Sequence, residues 1–190
     1  MTSVKPAVAV NTLSSNTSAP RPSPDSNSPD TYFMQLALQE ARRAASFGEV
    51  PVGAVLVASG VVLAKTHNRT YSDTDPAGHA ELLALRRGAV LQQSPRLSGC
   101  TLYVTLEPCC MCIGAMIHAR IERLVYAADE PKTGAVRSAF ELAGSDRHNH
   151  QFDITAGVLA DESAQLMRNF FEARRHEQRT RKEALKRDDR

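Results

Sequence analysis

The stretch between residues 80 and 128 constrains the fold more than any other part of this chain, because helical and extended patterns alternate there without long interruptions. The letters AELLALRRGAV have the apolar spacing of a helix, TLYVTL is typical of a buried strand, MCIGAMIHARI returns to helical spacing and RLVYAA is again extended. Strands that alternate with helices predict a layered α/β domain with parallel pairings between strands.

Further elements are predicted on both sides of this stretch. Asp30 is a good N-cap for a helix over TYFMQLALQEARRAASFG, which stops at Gly48, a typical C-terminal glycine. The letters VGAVLVASGVVLAK predict two strands joined by a turn at Ser59-Gly60. FDITAGVL is interpreted as a short edge strand, and Asp161 as the cap of a long last helix.

Length and charge indicate one domain with distinct ends. The 190 residues, 42% of them hydrophobic, suit a single globular domain with a real core. The formal net charge is +2, but residues 168 to 190 contain nine Lys and Arg against five Asp and Glu. This basic end favours an acidic partner such as nucleic acid, although a solvated helix end would give a similar count. Both interpretations stay open on charge alone.

The first 30 residues differ from the rest in composition. They contain five of the ten Pro, ten Ser or Thr, and two residues of each charge sign. Such a segment cannot bury enough apolar surface to offset the entropy of ordering it, so we expect a disordered tail over residues 1–30. One globular domain is expected over residues 31–178, followed by a basic tail or helix end over residues 179–190.

The cysteine pattern indicates a metal site in a reducing compartment. Three of the four Cys lie within four residues of one another, and neighbours that close rarely reach disulfide geometry. No apolar run approaches the roughly 18 residues that span a membrane, and the N-terminus lacks the apolar region of a secretory signal. We therefore expect a soluble protein of the cytoplasm that does not enter a membrane.

Three side chains are candidate metal ligands. Cys109 and Cys112 are three residues apart, so on a helix they share one face, and a preceding Pro108 suits a first helical position. Thiolates are favoured near a helix N-terminus, and His79 can supply a third ligand at the start of another helix. Cys110 and Cys100 are interpreted as small buried hydrophobic residues. Structural zinc takes four protein ligands, whereas three leave an open position for catalysis.

The remaining acidic residue beside these ligands is Glu81. It lies two residues after His79 in a stretch that is otherwise apolar through LLAL, so a purely solvated position is the less favoured interpretation. A carboxylate next to an open zinc position can take a proton from the activated water and deliver it to a substrate nitrogen. The pattern predicts hydrolytic chemistry with Glu81 as its proton carrier.

The order His79-Ala80-Glu81, then Pro108-Cys109-x-x-Cys112, resembles the zinc deaminase signature. The strings GEVPVGAVLV, HNR, HAE, TLYVTLEPC, GAMIHARI, KTGA, ITAGVLADE and FFEARR are similar, in order and spacing, to the bacterial tRNA-specific adenosine deaminases over residues 31–178. The resemblance implies an α/β/α sandwich of the cytidine-deaminase type with a central mixed sheet, one Zn²⁺ per subunit and a homodimer. It also implies conversion of wobble adenosine to inosine in the anticodon of an arginine tRNA.

Residue roles follow from the same resemblance. It makes His79, Cys109 and Cys112 the zinc ligands and Glu81 the proton shuttle. Other positions match residues that meet the RNA. Asn68 should hydrogen-bond the flipped base, and Val52 and Leu106 should form apolar walls of the pocket that holds it. The C-terminal element that meets the anticodon loop should contain Phe170, Phe171, Arg174 and Arg175.

Two departures and two alternatives remain. Relatives often have Asp-Pro-Lys or Asp-Ala-Lys before TGA, whereas this chain has Asp129-Glu130-Pro131-Lys132, and Thr70 follows Arg69 where many have proline.

The main alternative function is a zinc-dependent deaminase of a free base or nucleoside, of the guanine or cytosine type. The second is a non-catalytic RNA-binding module stabilised by zinc, which would need a fourth zinc ligand and would have no use for Glu81.

Overall fold

A computed structural model describes residues 28–188, with side chains through residue 185. Its centre is one five-stranded sheet in the order β2-β1-β3-β4-β5. The strands are β1 (Gly53–Ala58), β2 (Val61–His67), β3 (Cys100–Leu106), β4 (Arg123–Ala128) and β5 (Asp153–Ala156). β1 is antiparallel to β2 and to β3, whereas β3, β4 and β5 run parallel to one another. The sheet is therefore mixed, and the parallel pairings that the alternating pattern predicts occur in its second half.

Four helices cover the two faces of this sheet: α1 (Pro29–Ser46), α2 (Ala80–Leu91), α3 (Cys110–Ala119) and α4 (Ala160–Asp188). One face packs against α2 and α3 through a core that includes Leu56, Leu102 and Met116. The other face packs against α1 and the start of α4. Successive strand residues point to opposite faces, so Leu102 and Val104 join the first core while Tyr103 joins the second. The predicted three-layer α/β/α sandwich is confirmed.

The pairing pattern brings several chain segments to the same end of the strands, which we call one edge of the sheet. Because β2 and β3 are both antiparallel to β1, the C-terminal ends of β2, β3 and β4 lie at the edge where β1 begins. The N-termini of α2 and α3 lie at this edge as well, since α3 follows β3 after three residues and α2 packs across β2 and β1. Open α/β sheets bind their ligands at this kind of edge.

Helix starts differ in detail from their predicted positions. α1 is capped by Ser28, whose Oγ accepts a hydrogen bond from the Thr31 N–H at 3.2 Å, so the prediction of Asp30 as the cap was wrong. Asp30 instead accepts two hydrogen bonds from the Arg123 guanidinium, at 2.9 and 2.7 Å. α4 begins at Ala160, so Asp161 lies within its first turn and the prediction of Asp161 as the cap was wrong. Asp30 thus forms an ion pair with Arg123 and does not cap the helix. The local sequence pattern does not reveal a partner so distant along the chain.

The predicted turns are confirmed. Gly48 follows the end of α1 with a φ of +74°, a left-handed conformation that glycine adopts without strain. Ser59 and Gly60 both have positive φ, at 49° and 78°, which is the signature of a two-residue hairpin turn whose twist matches the strands.

The ends of the chain add two facts. The predicted disordered tail of residues 1–30 lies, apart from its last three residues, outside the described residues. Between residues 28 and 188, no helix combines the length and apolar character that crossing a bilayer requires. The domain boundaries at residues 30 and 178 stay predictions, and α4 continues through the second of them without a break.

Candidate metal centre and active-site pocket

Three potential metal ligands meet at the edge where α2 and α3 begin. His79 Nδ1 lies 3.7 Å from Cys109 Sγ and 3.6 Å from Cys112 Sγ, and the two sulfur atoms are 3.8 Å apart. A tetrahedral zinc ion with Zn–S bonds of about 2.3 Å and a Zn–N bond of about 2.05 Å would separate its ligands by about 3.8 Å (S to S) and about 3.6 Å (N to S). The triangle of donor atoms therefore has the size that a zinc ion requires, and its donor chemistry suits zinc.

Backbone geometry at two helix starts aims these side chains at one point. His79 is the extended residue before α2, and Cys109 is the extended residue before α3. Pro108 therefore precedes the cap of α3, and the prediction of Pro108 in the first turn was wrong. Neither His79 nor Cys109 caps its helix with a side-chain hydrogen bond, which leaves both free to bind a metal.

The sulfur atoms are electrostatically prepared for a cation. A hydrogen bond from Cys112 outweighs the effect of burial and, with help from His79, lowers the pKa of Cys109 to about 4. The same hydrogen bond, together with burial, raises the pKa of Cys112. Cys109 also lies at the N-terminus of α3, where the thiolate form that binds metal is favoured.

Glu81 is a buried acid with an unused oxygen beside the ligands. It lies in the first turn of α2 and only 4% of it is exposed. Its Oε2 is buried and has no hydrogen-bond partner among the described residues. Burial raises the pKa of this carboxyl group. A buried carboxylate oxygen without a partner is costly, so its position is consistent with a polar molecule that occupies the cavity during function.

The other two cysteines lie away from the ligands. Cys100 is fully buried at the first residue of β3, which confirms its interpretation as a small core residue. Cys110 is exposed, so the expectation that it is buried was wrong. It is the first residue of α3, and the rotation of about 100° between neighbouring helix residues turns it away from the face of Cys112.

Asn68 is held in one orientation beside the ligands. It follows β2 directly and is buried, and its Oδ1 accepts a hydrogen bond of 2.9 Å from the Ala80 N–H. Because the carbonyl oxygen of the amide is already used, the Nδ2 group remains as a donor. Asn68 also lines the cavity that contains the metal ligands.

This cavity has a volume of about 280 Å³ and brings together most of the predicted site. Val52 and Leu106 form apolar parts of its wall, and Phe171 from α4 reaches its rim. His79, Glu81 and Cys109 also line the cavity, whereas Cys112 is fully buried and is not among its lining residues. Sequence reasoning did not assign the remaining lining residues to the site; they are Val50, Thr70, Tyr71, Glu107, Glu130, Thr133 and Met167.

The other C-terminal candidates do not all reach the cavity. Phe170 is half-buried and contacts Phe171 edge to face, with ring centroids 5.4 Å apart. Arg175 lines a second cavity of about 570 Å³, which shares Leu106, Met167, Phe171 and Glu130 with the first. Arg174 is exposed and its guanidinium lies 3.4 Å from Glu177. Phe170 and Arg174 thus lie outside both cavities.

Glu107 is the most consequential residue that sequence reasoning missed. Its buried carboxylate accepts hydrogen bonds from the backbone N–H groups of Glu130, Val136, Arg137 and Ser138, at 2.8 to 3.0 Å. These bonds hold the segment after β4 against the cavity. An acidic residue just before Pro108 was the available signal, but only the tertiary contacts reveal what it binds.

A second buried carboxylate holds the loop on the opposite side of the cavity. Glu49 Oε1 accepts hydrogen bonds from the N–H groups of Tyr71 and Ser72 and from the Ser72 hydroxyl. Burial alone would raise the pKa of Glu49, but these bonds outweigh it and keep the pKa below its ordinary value. The cavity thus lies between two loops, and a buried glutamate anchors each of them.

Comparison with known proteins identifies the family. The MafB19-like deaminase family matches residues 27–175. The tRNA-specific adenosine deaminase of Haemophilus influenzae is 46% identical over 158 residues, which cover 83% of this chain and 91% of that protein. The corresponding enzyme of Bacillus subtilis is 40% identical over 142 residues, 75% of this chain and 88% of its own length.

Solved structures agree with this assignment. A structure from a study of A-to-I editing by tRNA:A34 deaminases at the wobble position of transfer RNA has a TM-score of 0.70 and 46% identity, and the match covers 72% of this chain and 99% of that chain. The guanine deaminase of Nitrosomonas europaea has a TM-score of 0.65 and 26% identity, with 74% of this chain and 83% of that chain covered. The chain therefore belongs to the MafB19-like deaminases and, within them, to the family of the tRNA-specific adenosine deaminases.

Proposed function

We propose that this protein hydrolyses adenosine to inosine at the wobble position of a tRNA anticodon. The observation that carries the proposal is the triangle of His79, Cys109 and the buried Cys112 beside the carboxylate of Glu81, with His79, Cys109 and Glu81 lining one cavity. This arrangement suits addition of water to an aromatic carbon that bears an amino group. The RNA substrate follows from the relatives, which are named tRNA-specific adenosine deaminases.

The metal in this proposal is one Zn²⁺ per chain, held by His79, Cys109 and Cys112. The donor distances given above fit zinc, and three protein ligands are what a catalytic zinc site offers. When bound, zinc supplies the Lewis acidity that makes a water molecule nucleophilic near neutral pH.

Glu81 moves protons in the proposed reaction. Water adds to C6 of adenine while Glu81 accepts one of its protons and transfers it to N1; the remaining proton of the new hydroxyl group then moves through Glu81 to N6, the C6–N6 bond breaks as C6 becomes a carbonyl, and ammonia leaves. The product is hypoxanthine on the ribose, that is, inosine. Burial raises the pKa of Glu81, which makes its carboxylate a better proton acceptor than an exposed glutamate.

Other residues of the cavity would bind the extruded base. Asn68 would donate from Nδ2 to an acceptor on the base, because its Oδ1 is already bound to the Ala80 N–H. Val52 and Leu106 would contact the ring faces as apolar walls. Phe171 is 41% exposed at the rim, where it can stack on RNA, and Phe170 would support it through their edge-to-face contact. Arg175, which lines the adjoining cavity, would contact phosphates; Arg174, which the resemblance also assigns to the RNA, would have to leave its contact with Glu177 to do so.

Deamination of free guanine is the alternative with a specific observation in its favour, because the guanine deaminase of Nitrosomonas europaea shares the fold at 26% identity. The relatives that act on tRNA are considerably more similar, at 40 to 46% identity. A non-catalytic zinc-stabilised module is disfavoured by the cluster itself, since the group within residues 28–188 has three members and not four.

Substrate comparison tests the proposal directly. A short anticodon stem-loop with adenosine at the wobble position should be converted to inosine, because anticodon loops already splay their bases and extrusion is cheap there. Free adenosine, cytosine and guanine should be turned over far more slowly, since they lack the contacts outside the cavity. Comparable turnover of a free base would support the small-molecule deaminase. Inosine in an arginine tRNA, measured against other purified tRNAs, tests the finer assignment.

Two further proposals concern the whole protein. From the resemblance we infer a homodimer, and light scattering of the purified protein would contradict it if the mass were that of one chain. A tRNA substrate also favours the cytoplasm as the compartment, which fractionation of cells that produce the protein would test.

A further inference from the structure

The last helix extends far beyond the part of the domain that it covers. α4 has 29 residues, and all residues from Phe171 to Leu185 are exposed. At about 1.5 Å per residue, this exposed part projects roughly 20 Å beyond Phe171 at the rim of the cavity. Because this part of α4 has no apolar face packed against the domain, its side chains are available to bind another molecule.

The cations of this helix are not spread evenly around it. With a rotation of about 100° per residue, Arg168, Arg175, Arg179 and Lys182 all project within about 80° of Phe171 on the same side. We call these four residues the basic stripe. Arg174 and Arg181 project on another face, roughly 60 to 80° from Phe171 in the opposite sense. The flanking acids Glu172 and Glu183 lie at the outer edge of the basic stripe, at about 100 to 120°.

The charges of the stripe are largely unused within the domain. Among the described residues, Arg175, Arg179 and Lys182 have neither an ion-pair partner nor a side-chain hydrogen bond, and Arg168 donates only to the neutral Gln165. Arg174, on the other face, lies 3.4 Å from Glu177. The stripe therefore presents a row of cations that the protein itself does not neutralise.

The stripe begins at the active site. Arg168 and Arg175 line the second cavity together with Lys132 and Phe171, and this cavity shares part of its wall with the cavity of the metal ligands. Arg179 and Lys182 continue the same face away from the domain. A ligand that places one base in the catalytic cavity can therefore contact successive cations of α4, on the side of the second cavity opposite the acidic Asp129 and Glu130 that also line it.

We propose that the basic stripe binds phosphates of the double-helical stem that adjoins the anticodon loop. This rests on the proposed function, because the loop would already occupy the cavity. From Arg168 to Lys182 the helix rises about 21 Å, a length over which a nucleic-acid duplex presents several phosphates, so more than one phosphate lies within reach of the stripe. Such contacts set position and affinity without reading base sequence.

Neutralising variants with a matched control test this proposal. Arg179→Gln, Lys182→Gln and the double variant remove stripe charges, whereas Arg181→Gln removes one charge from the same exposed region but from another face. Each variant is measured with an anticodon stem-loop of full stem length and with the same loop on a stem shortened to two base pairs. Affinity at several salt concentrations and single-turnover deamination at saturating RNA are the readouts, with a melting curve for each variant.

The double variant should bind the full stem-loop about tenfold more weakly at low salt and lose roughly one to two units of the slope of log affinity against log salt. Its rate at saturation, its affinity for the shortened stem and the behaviour of Arg181→Gln should not change. A slope equal to that of the parent protein, or equal losses for Arg181→Gln or for the shortened stem, would overturn the proposal. Failure of the parent protein to deaminate any stem-loop would instead overturn the proposed function, whatever the slopes are.

Discussion

At the scale of single residues, Glu81 combines high burial with an oxygen that no described residue satisfies. A purely structural carboxylate in the same domain looks different: Asp30 accepts hydrogen bonds from Arg123 and from the Tyr103 hydroxyl. Both oxygens of Asp30 thus have partners, whereas Glu81 Oε2 has none among the described residues; Glu49 Oε2, at the loop beside the cavity, shares this property, but only the Glu81 carboxylate lies beside the candidate metal ligands. Unsatisfied buried groups of this kind are common where a site reserves an atom for its substrate.

Replacement of Glu81 by Gln or Ala should abolish activity without releasing the metal. We expect deamination of the stem-loop to fall by at least about 100-fold, because proton transfer is lost while the three ligands stay in place. The melting temperature should change little, since the variant removes a buried charge of which one oxygen has no hydrogen-bond partner among the described residues. Metal analysis and single-turnover kinetics on the same preparation are the measurement. Loss of zinc in either variant would move Glu81 into the ligand set.

At the scale of elements, the site depends on a segment that has no regular structure. Residues 129–138 follow β4, and Glu130 and Thr133 from this segment line the catalytic cavity. Its backbone N–H groups converge on the Glu107 carboxylate, and a side chain at Gly134 would collide with that carboxylate. The segment is therefore shaped by a single buried charge at the end of β3, one residue before Pro108.

Glu107→Gln should loosen this segment. Glu107 Oε2 accepts from the Glu130 N–H and Oε1 accepts from three others, so the amide group of Gln would face at least one N–H donor and leave it unpaired. We expect KM for the stem-loop to rise about tenfold while kcat changes by less than about threefold.

Asp30→Asn is the matched control for this variant. It weakens another hydrogen-bonded carboxylate, at the edge of the sheet opposite the cavity, and should lower the melting temperature without changing KM. Equal KM changes in both variants would reduce Glu107 to a general stability residue.

The charge state of Glu107 also has a pH signature. Burial would raise its pKa, but hydrogen bonds led by Ser138 outweigh burial and hold the pKa below the ordinary value. The stabilisation is therefore present above the ordinary pKa of a glutamate and is lost as the pH falls through the lowered pKa of the folded state. Below that pH, the KM of the parent protein for the stem-loop should approach the KM of Glu107→Gln.

At the scale of the whole molecule, the metal site joins two helices that belong to distant parts of the chain. His79 precedes α2 and Cys109 precedes α3, and both helices pack on the same face of the sheet. A bound ion would thus connect the β2–α2 and β3–α3 units at their active-site ends. Ligands that bind only the folded state stabilise it by mass action, so the metal should contribute to global stability.

Cys112→Ala and Cys110→Ala should differ from each other in both metal content and melting temperature. The first removes a fully buried ligand and should release the zinc and lower the melting temperature by several degrees. The second changes an exposed residue and should retain about one zinc per chain with nearly unchanged melting. An empty site in Cys110→Ala would indicate a fourth protein ligand, and with it a structural role for the metal.

Much of the fold and of the candidate site could be predicted from the sequence because those parts are local. Hydrophobic periodicity predicts each helix and strand, and glycines mark the turn at Ser59-Gly60 and the end of α1. The cluster of His79, Glu81, Cys109 and Cys112 could be predicted because a metal site at helix starts imposes short, recognisable spacings. Val52, Asn68 and Leu106, which line the same cavity, were predicted only by resemblance, since a buried strand residue and a pocket residue have the same pattern.

Only the tertiary structure decided how distant segments meet. The antiparallel position of β1 between β2 and β3, the solvent-facing direction of Cys110, the loops held by Glu49 and Glu107, and the separate faces of Arg174 and Arg179 were not predicted. The physical reason is that sequence periodicity records which side of an element is apolar. Which buried carboxylate meets which backbone N–H depends instead on strand order, register and helix rotation, and these are set by the packing of the whole chain.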